Sequence, residues 1–197
     1  RIIRMLSIMV CIAYTCYGAT DDTKVQIAAD FLKINNAYMN SKSLSFLVDY
    51  NYYDSERDNK PSSTKTGFYK KNLMNYHSHL LGIETINNEK LMVVLDTASK
   101  YIVVRDPVKQ ASNPASSLDI VKILSFAKTI KLTEEKNGEV SYLLNMQNDK
   151  SEYSAIKIVR NKDFLLSRIV LYLNKPAEKS KGNPKLEIIY KPAGSLK

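Results

Sequence analysis

Between Thr23 and Tyr52 the hydrophobic pattern changes period once, and the change marks the first structural boundary. Val25, Ile27, Ala28, Phe31, Leu32, Ile34, Ala37 and Tyr38 recur at three- and four-residue intervals, the spacing of an amphipathic helix. This predicts a helix over Thr23 to Asn40, with Asp21 or Asp22 as its cap. From Leu44 the period falls to two: Leu44, Phe46, Val48, Tyr50 and Tyr52 alternate with Ser45, Asp49 and Asn51. Alternation of this kind is a half-buried antiparallel strand.

Strand patterns then follow in quick succession. Asp54 to Lys65 reads as a polar loop, and strands are predicted over Gly67 to Lys71, Met74 to Leu81, Lys90 to Leu95 and Lys100 to Arg105. The connections between them are short enough for hairpins. Pro107 and Pro114 bracket a loop that leads to a second predicted helix, Ser116 to Lys128, carrying Leu118, Val121, Ile123, Leu124 and Phe126. Five more strands are predicted, over Thr129 to Thr133, Val140 to Met146, Tyr153 to Val159, Phe164 to Leu173 and Lys185 to Tyr190.

Helices interrupt this order twice but never alternate with the strands, which excludes a parallel α/β sheet. The expected fold class is α+β, mainly β: a highly curved antiparallel half-barrel of about 10–11 strands with helices covering its concave face. Such a shape leaves an apolar cavity between sheet and helices. The length of 197 residues suits one core, so residues 19–197 are expected to form a single domain.

The first 18 residues stand apart. Arg1 and Arg4 precede an apolar run from Met5 to Ala13, and Cys16, Tyr17 and Gly18 follow it, which reads as a secretory signal peptide cleaved near Gly18. The alternative is a lipid anchor through Cys16. Cleavage removes Cys11 and Cys16, the only cysteines, and lowers the net charge from +9 to +7 by removing Arg1 and Arg4. The expected compartment is the periplasm, and the expected core holds without disulfides. A basic exported chain suits anionic headgroups or acidic polymers; with no aromatic-basic motif, nucleic acid is excluded as a partner.

Candidate chemistry is sparse. His77 and His79 are the only histidines, and on a strand side chains two apart share a face. They make an incomplete metal site, because a third ligand is needed and no thiolate exists. No nucleophile elbow, phosphate-binding loop or zinc-protease helix motif occurs. Binding without catalysis, and without a cofactor, is therefore the expected activity. A metal-dependent envelope enzyme built on His77 and His79, or a structural envelope partner using the basic Lys175 to Lys185 loop, is the alternative.

The run from Gly67 to Tyr101 resembles the central motif of the LolA family of periplasmic lipoprotein carriers. Gly67-Phe68, Lys70-Lys71-Asn72-Leu73, Tyr76-His77 and the apolar stretch ending at Asp96 carry the likeness, with the Pro114 to Leu118 helix opening. The resemblance implies an eleven-strand half-barrel that shelters the acyl chains of lipoproteins, or another amphiphile, and makes and breaks no bond. It implies a role as chaperone in outer-membrane biogenesis, working as a monomer with inner- and outer-membrane partner proteins. The implied ligand-binding residues are Phe46, Val48, Tyr50, Phe68, Lys70, Lys71, Met74 and Tyr76, with Leu124 and Phe126 on the lid. The chain departs from the family at Lys70-Lys71, where the carriers have Arg-Pro, and it ends soon after Pro192, so the family's final strand or tail is expected to be absent.

Overall fold

The computed structural model describes residues 21–108, 120–135, 137–147, 151–174 and 182–193. The expected signal segment, the start of the second predicted helix and most of the Lys175 to Lys185 loop lie outside these residues. Helix α1 spans Asp21–Asn40, followed by strands β1 (Ser43–Tyr53), β2 (Ser63–Asn72), β3 (Asn75–Leu80), β4 (Ile83–Asn87), β5 (Met92–Asp96) and β6 (Tyr101–Arg105). A short helix α2 (Ile120–Phe126) leads into β7 (Ala127–Glu134), β8 (Val140–Met146), β9 (Tyr153–Arg160), β10 (Leu166–Leu173) and β11 (Lys185–Pro192).

The strands form one open antiparallel sheet of 11, in the order β6-β5-β4-β3-β2-β1-β11-β10-β9-β8-β7. Two meanders are thus zipped together along β1 and β11, whose register runs from Phe46 opposite Pro192 to Tyr53 opposite Lys185. The strand predicted over Lys185 to Tyr190 is β11, and it occupies the middle of the sheet.

Sequence periodicity misses β4, which was expected to be part of the connection after one strand ending at Leu81. The break comes from a two-residue tip: Leu81 (φ 53°) and Gly82 (φ 85°) both take left-handed backbone, the geometry of a tight primed hairpin turn. The second helix is also shorter than predicted, because Ala127 and Lys128 already belong to β7.

One face of the sheet buries the core. Ile27, Phe31, Ile34 and Tyr38 of α1 pack in one cluster with Phe46, Val48 and Tyr50 of β1, Tyr69 of β2, Tyr76 of β3, Tyr142 and Leu144 of β8, and Ile156 and Ile158 of β9. The ring of Phe31 lies 5.6 Å from that of Tyr142. Val25 and Leu32, also apolar, stay exposed on the other side of the helix, so the stripe that docks is narrower than the hydrophobic pattern.

A buried polar network fixes the first half of α1. The Tyr142 hydroxyl donates to Asp30 Oδ2 at 2.6 Å, and Arg160 Nε donates to the same hydroxyl at 3.0 Å while its Nη2 approaches Asp30 at 3.5 Å. Burial pushes the Tyr142 phenol up to about 12, helped by the adjacent carboxylate, so it keeps its proton and remains a donor. Burial also acts to raise the Asp30 carboxyl, but the Tyr142 hydroxyl, Lys33 and Arg160 together outweigh it and hold Asp30 below the usual range.

Gly67 marks the closest backbone approach. A Cβ built there would stand 2.3 Å from the His79 carbonyl oxygen, so β3 sits where any side chain on Gly67 would be. Because that oxygen is backbone, the clash is relieved only by moving a strand. Gly67→Ala is expected to destabilise the fold by about 1–3 kcal/mol, measured by urea denaturation.

Asp30 also sets an acid sensitivity. Its pKa is lower folded than unfolded, so its contribution is complete above the unfolded value near ~4 and is lost as pH falls through the folded one. Denaturation midpoints measured from about pH 6 down to about pH 2 should fall less steeply in Asp30→Asn than in the unaltered chain. The variant should start from a lower midpoint at neutral pH.

Candidate functional site

At the end of the sheet where α1 finishes, a cavity of about 360 Å³ opens between helix and strands. Tyr38 of α1, Leu44 and Phe46 of β1, Leu166 of β10, Tyr190 of β11 and Leu165 supply its apolar and aromatic lining. Ser45, Glu139, Asn161, Ser167 and Pro192 complete it. The wall therefore joins residues more than a hundred positions apart, brought together by the β1–β11 pairing.

The aromatic lining is ordered. Tyr38 meets Phe46 edge-on at 6.2 Å, and Tyr190 meets Phe46 edge-on at 5.6 Å. Phe46 stacks on Tyr69 at 5.2 Å, and Tyr69 on Tyr76 at 6.1 Å, so a row of rings crosses β11, β1, β2 and β3. Edge-on and offset contacts at these separations are the favoured geometries of aromatic pairs. The Tyr38 hydroxyl accepts the Leu166 N–H at 3.1 Å. Burial pushes the Tyr38 phenol up to about 12 and raises Tyr190 as well, so both rings stay neutral and present an uncharged surface to the cavity.

The residues singled out from the sequence fall in three places. Phe46 lines the cavity. Val48, Tyr50 and Tyr76 lie on the same face of the sheet, in the core beside it, and Leu124 and Phe126 of α2 pack against that core. Phe68, Lys70 and Met74 lie elsewhere: Phe68 and Lys70 point to the opposite face, and Met74 is exposed in the turn after β2.

The register gives the reason. Lys71 stands opposite Tyr76, and Tyr69 opposite Ser78, so once Tyr76 faces the core its partners there are Tyr69 and Lys71. Phe68, one position off, must face out. There it meets His77 edge-on at 4.8 Å and His79 stacked at 6.3 Å.

His77 makes a 2.7 Å contact with Glu84 on the neighbouring strand. Among the described residues no third His, Cys, Asp or Glu joins them in a group fit to hold a metal ion.

Lys71 is buried and does not line the cavity. Its ammonium donates to the carbonyls of Tyr38 and Met39, each at 2.9 Å. These belong to the last turn of α1, whose carbonyls have no partner within the helix. That turn carries no basic residue of its own, and the cation that a helix C-terminus favours is delivered from β2. Burial lowers the Lys71 pKa.

Comparison with known proteins gives likeness of fold only. No family model matches the sequence, and no curated protein matches it. Among solved structures the neighbours include the LolA superfamily. The chain is similar to the lipoprotein LppX of Mycobacterium tuberculosis at 9% identity, over 87% of this chain and 95% of that one, with a TM-score of 0.40. It is similar to the LolA-superfamily protein NE2245 of Nitrosomonas europaea at 8% identity, over 83% and 90%, TM-score 0.30. A third similarity, at 10% identity over 93% and 98% with TM-score 0.29, is to a chain in the complex of the CwlD amidase with the GerS lipoprotein from Clostridioides difficile.

Removing the Lys71 ammonium strands two buried carbonyls next to Tyr38. Lys71→Ala is expected to cost about 1–3 kcal/mol and to raise hydrogen exchange in the last turn of α1 more than in its first turn. Uniform acceleration along the helix would show that Lys71 does not hold that end.

Proposed function

We propose that the chain is an exported, non-catalytic binding protein that shelters an acyl chain of a lipoprotein or another amphiphile in the cavity beside Tyr38, Phe46 and Tyr190. The observation that carries this reading is the cavity itself: about 360 Å³, within the range of roughly 300–1,000 Å³ typical of small-molecule sites. At about 30 Å³ for a water-sized group, this volume takes on the order of a dozen such groups. One alkyl chain fits this space.

The chemistry of the wall supports the same reading. Neutral aromatic rings and leucines offer no strong polar competitor for an alkyl chain, and each methylene withdrawn from water is worth about 0.8 kcal/mol. Ser45, Ser167, Asn161 and Glu139 provide the few polar groups that orient a headgroup. In this reading the signal segment is removed near Gly18, the protein works in the periplasm, and partner proteins at the two membranes load and unload it.

Titration with a fluorescent fatty acid tests the proposal. The unaltered chain should bind one equivalent, and Leu165→Trp, which fills the cavity from a partly buried position, should weaken binding about tenfold, equivalent to ~1.4 kcal/mol, with an unchanged urea midpoint. Failure of the unaltered chain to bind the probe, together with consistently empty protein in native mass spectrometry, overturns it.

A further inference from the structure

The two edges of the sheet are built differently. At one edge, β7 (AKTIKLTE) carries Lys128 and Lys131, both exposed, and a register irregularity between Ala127 and Thr129. Charge and bulges are the ordinary protection of an edge strand against pairing with another chain. At the other edge, β6 (YIVVR) has four consecutive apolar or aromatic residues, regular pairing with β5, and all five side chains exposed. Ile102 is 66% and Val104 63% exposed.

Part of the outward face behind β6 is apolar too, through Ile86, Val93 and Leu95. Register carries one face from His77 and His79 on β3 to Ile86 and Glu84 on β4, to Val93 and Leu95 on β5, and to Val104 and Ile102 on β6. Beyond β2 the same face turns polar, with Lys191 paired to Asp49 and Arg168 to Glu187. A solvated antiparallel face normally reads polar along its length. A local apolar patch ending at an unprotected edge marks a contact surface.

We propose that β6 pairs antiparallel with β6 of a second copy of this chain, about a two-fold axis through Val103. The sequence of the edge selects this occupant because it is complementary to itself in that register. On the outer face Ile102 meets the second copy's Val104, and the register brings Lys100, in the left-handed turn just before the strand, to the end where Asp106 of the second copy follows its strand. On the inner face Tyr101 meets Arg105 and Val103 meets Val103. Each apolar residue faces an apolar one, and each flanking cation faces an acid or a ring, the cross-strand pairs that stabilise sheets. An isologous interface of this kind uses one patch twice.

Sedimentation equilibrium of the purified chain tests it, with Lys100→Asp, Asp106→Lys and the combination of both. The unaltered chain should form dimers. Each single substitution places like charges at both ends of the interface and should raise the dimer dissociation constant about tenfold, whereas the combination should restore it to within about threefold. Ile102→Lys with Val104→Lys should leave a folded monomer by circular dichroism, because both positions are exposed. A chain that stays monomeric, a dimer indifferent to the charge swaps, or a monomer that binds anionic vesicles through Ile102 and Val104 overturns the proposal.

Discussion

A single lysine on a strand decides where the long helix ends against the sheet. Lys71 reaches from β2 to the last carbonyls of α1, and with the Asp30, Tyr142 and Arg160 network at the other half of the helix it gives α1 two fixed points. Between these points the apolar stripe from Ile27 to Tyr38 is laid across both meanders. If either end were loose, Tyr38 would not meet both Phe46 and Leu166, and the cavity would have no helical wall. A buried ammonium is costly unless its donors are used; here two carbonyls that the helix cannot satisfy use it.

The polar anchors and the cavity divide the interior between them. The buried charges are Asp30 of α1 with Arg160 of β9, which also lies 4.1 Å from the Phe164 ring, and Lys71 at the helix terminus. The space near Tyr190 and Leu44 is lined mainly by neutral rings and aliphatic groups, with Glu139, Ser45, Asn161 and Ser167 as its few polar members. Rigid attachment on both sides lets an apolar void persist, because collapse of the wall would have to break hydrogen bonds that no water could replace.

Much of this was legible in the chain. Period-two alternation found β1 and its inward face from Leu44 to Tyr52, and the helical spacing found α1 to within two residues of its start. Other features depended on facts that no local pattern carries. The hairpin turn at Leu81 and Gly82, which starts β4 where a connection was expected, was not legible because its signal is backbone conformation at a leucine. Phe68 and Tyr76 were both expected to face inward, yet the turn at Leu73 and Met74 fixes a register that allows only one of them. Leu165, Leu166 and Tyr190 of the cavity wall come from the second meander, which reaches β1 only through the pairing of β11 with it, and periodicity has no access to such partners. Lys71 was singled out through the family resemblance; the pattern showed a basic residue on a strand without showing that a helix end lay above it.

The lysines of β7 have a consequence for the size of any assembly. A sheet with two sticky edges can add copies without limit, and a self-complementary strand at both ends would lead to fibres. Lys128 and Lys131 remove one of those ends. Growth through β6 therefore terminates at the first addition, because the joined object presents only β7 edges to solution. The charge on β7 acts as a stop signal for polymerisation, written at the strand farthest in the sheet from the one it regulates.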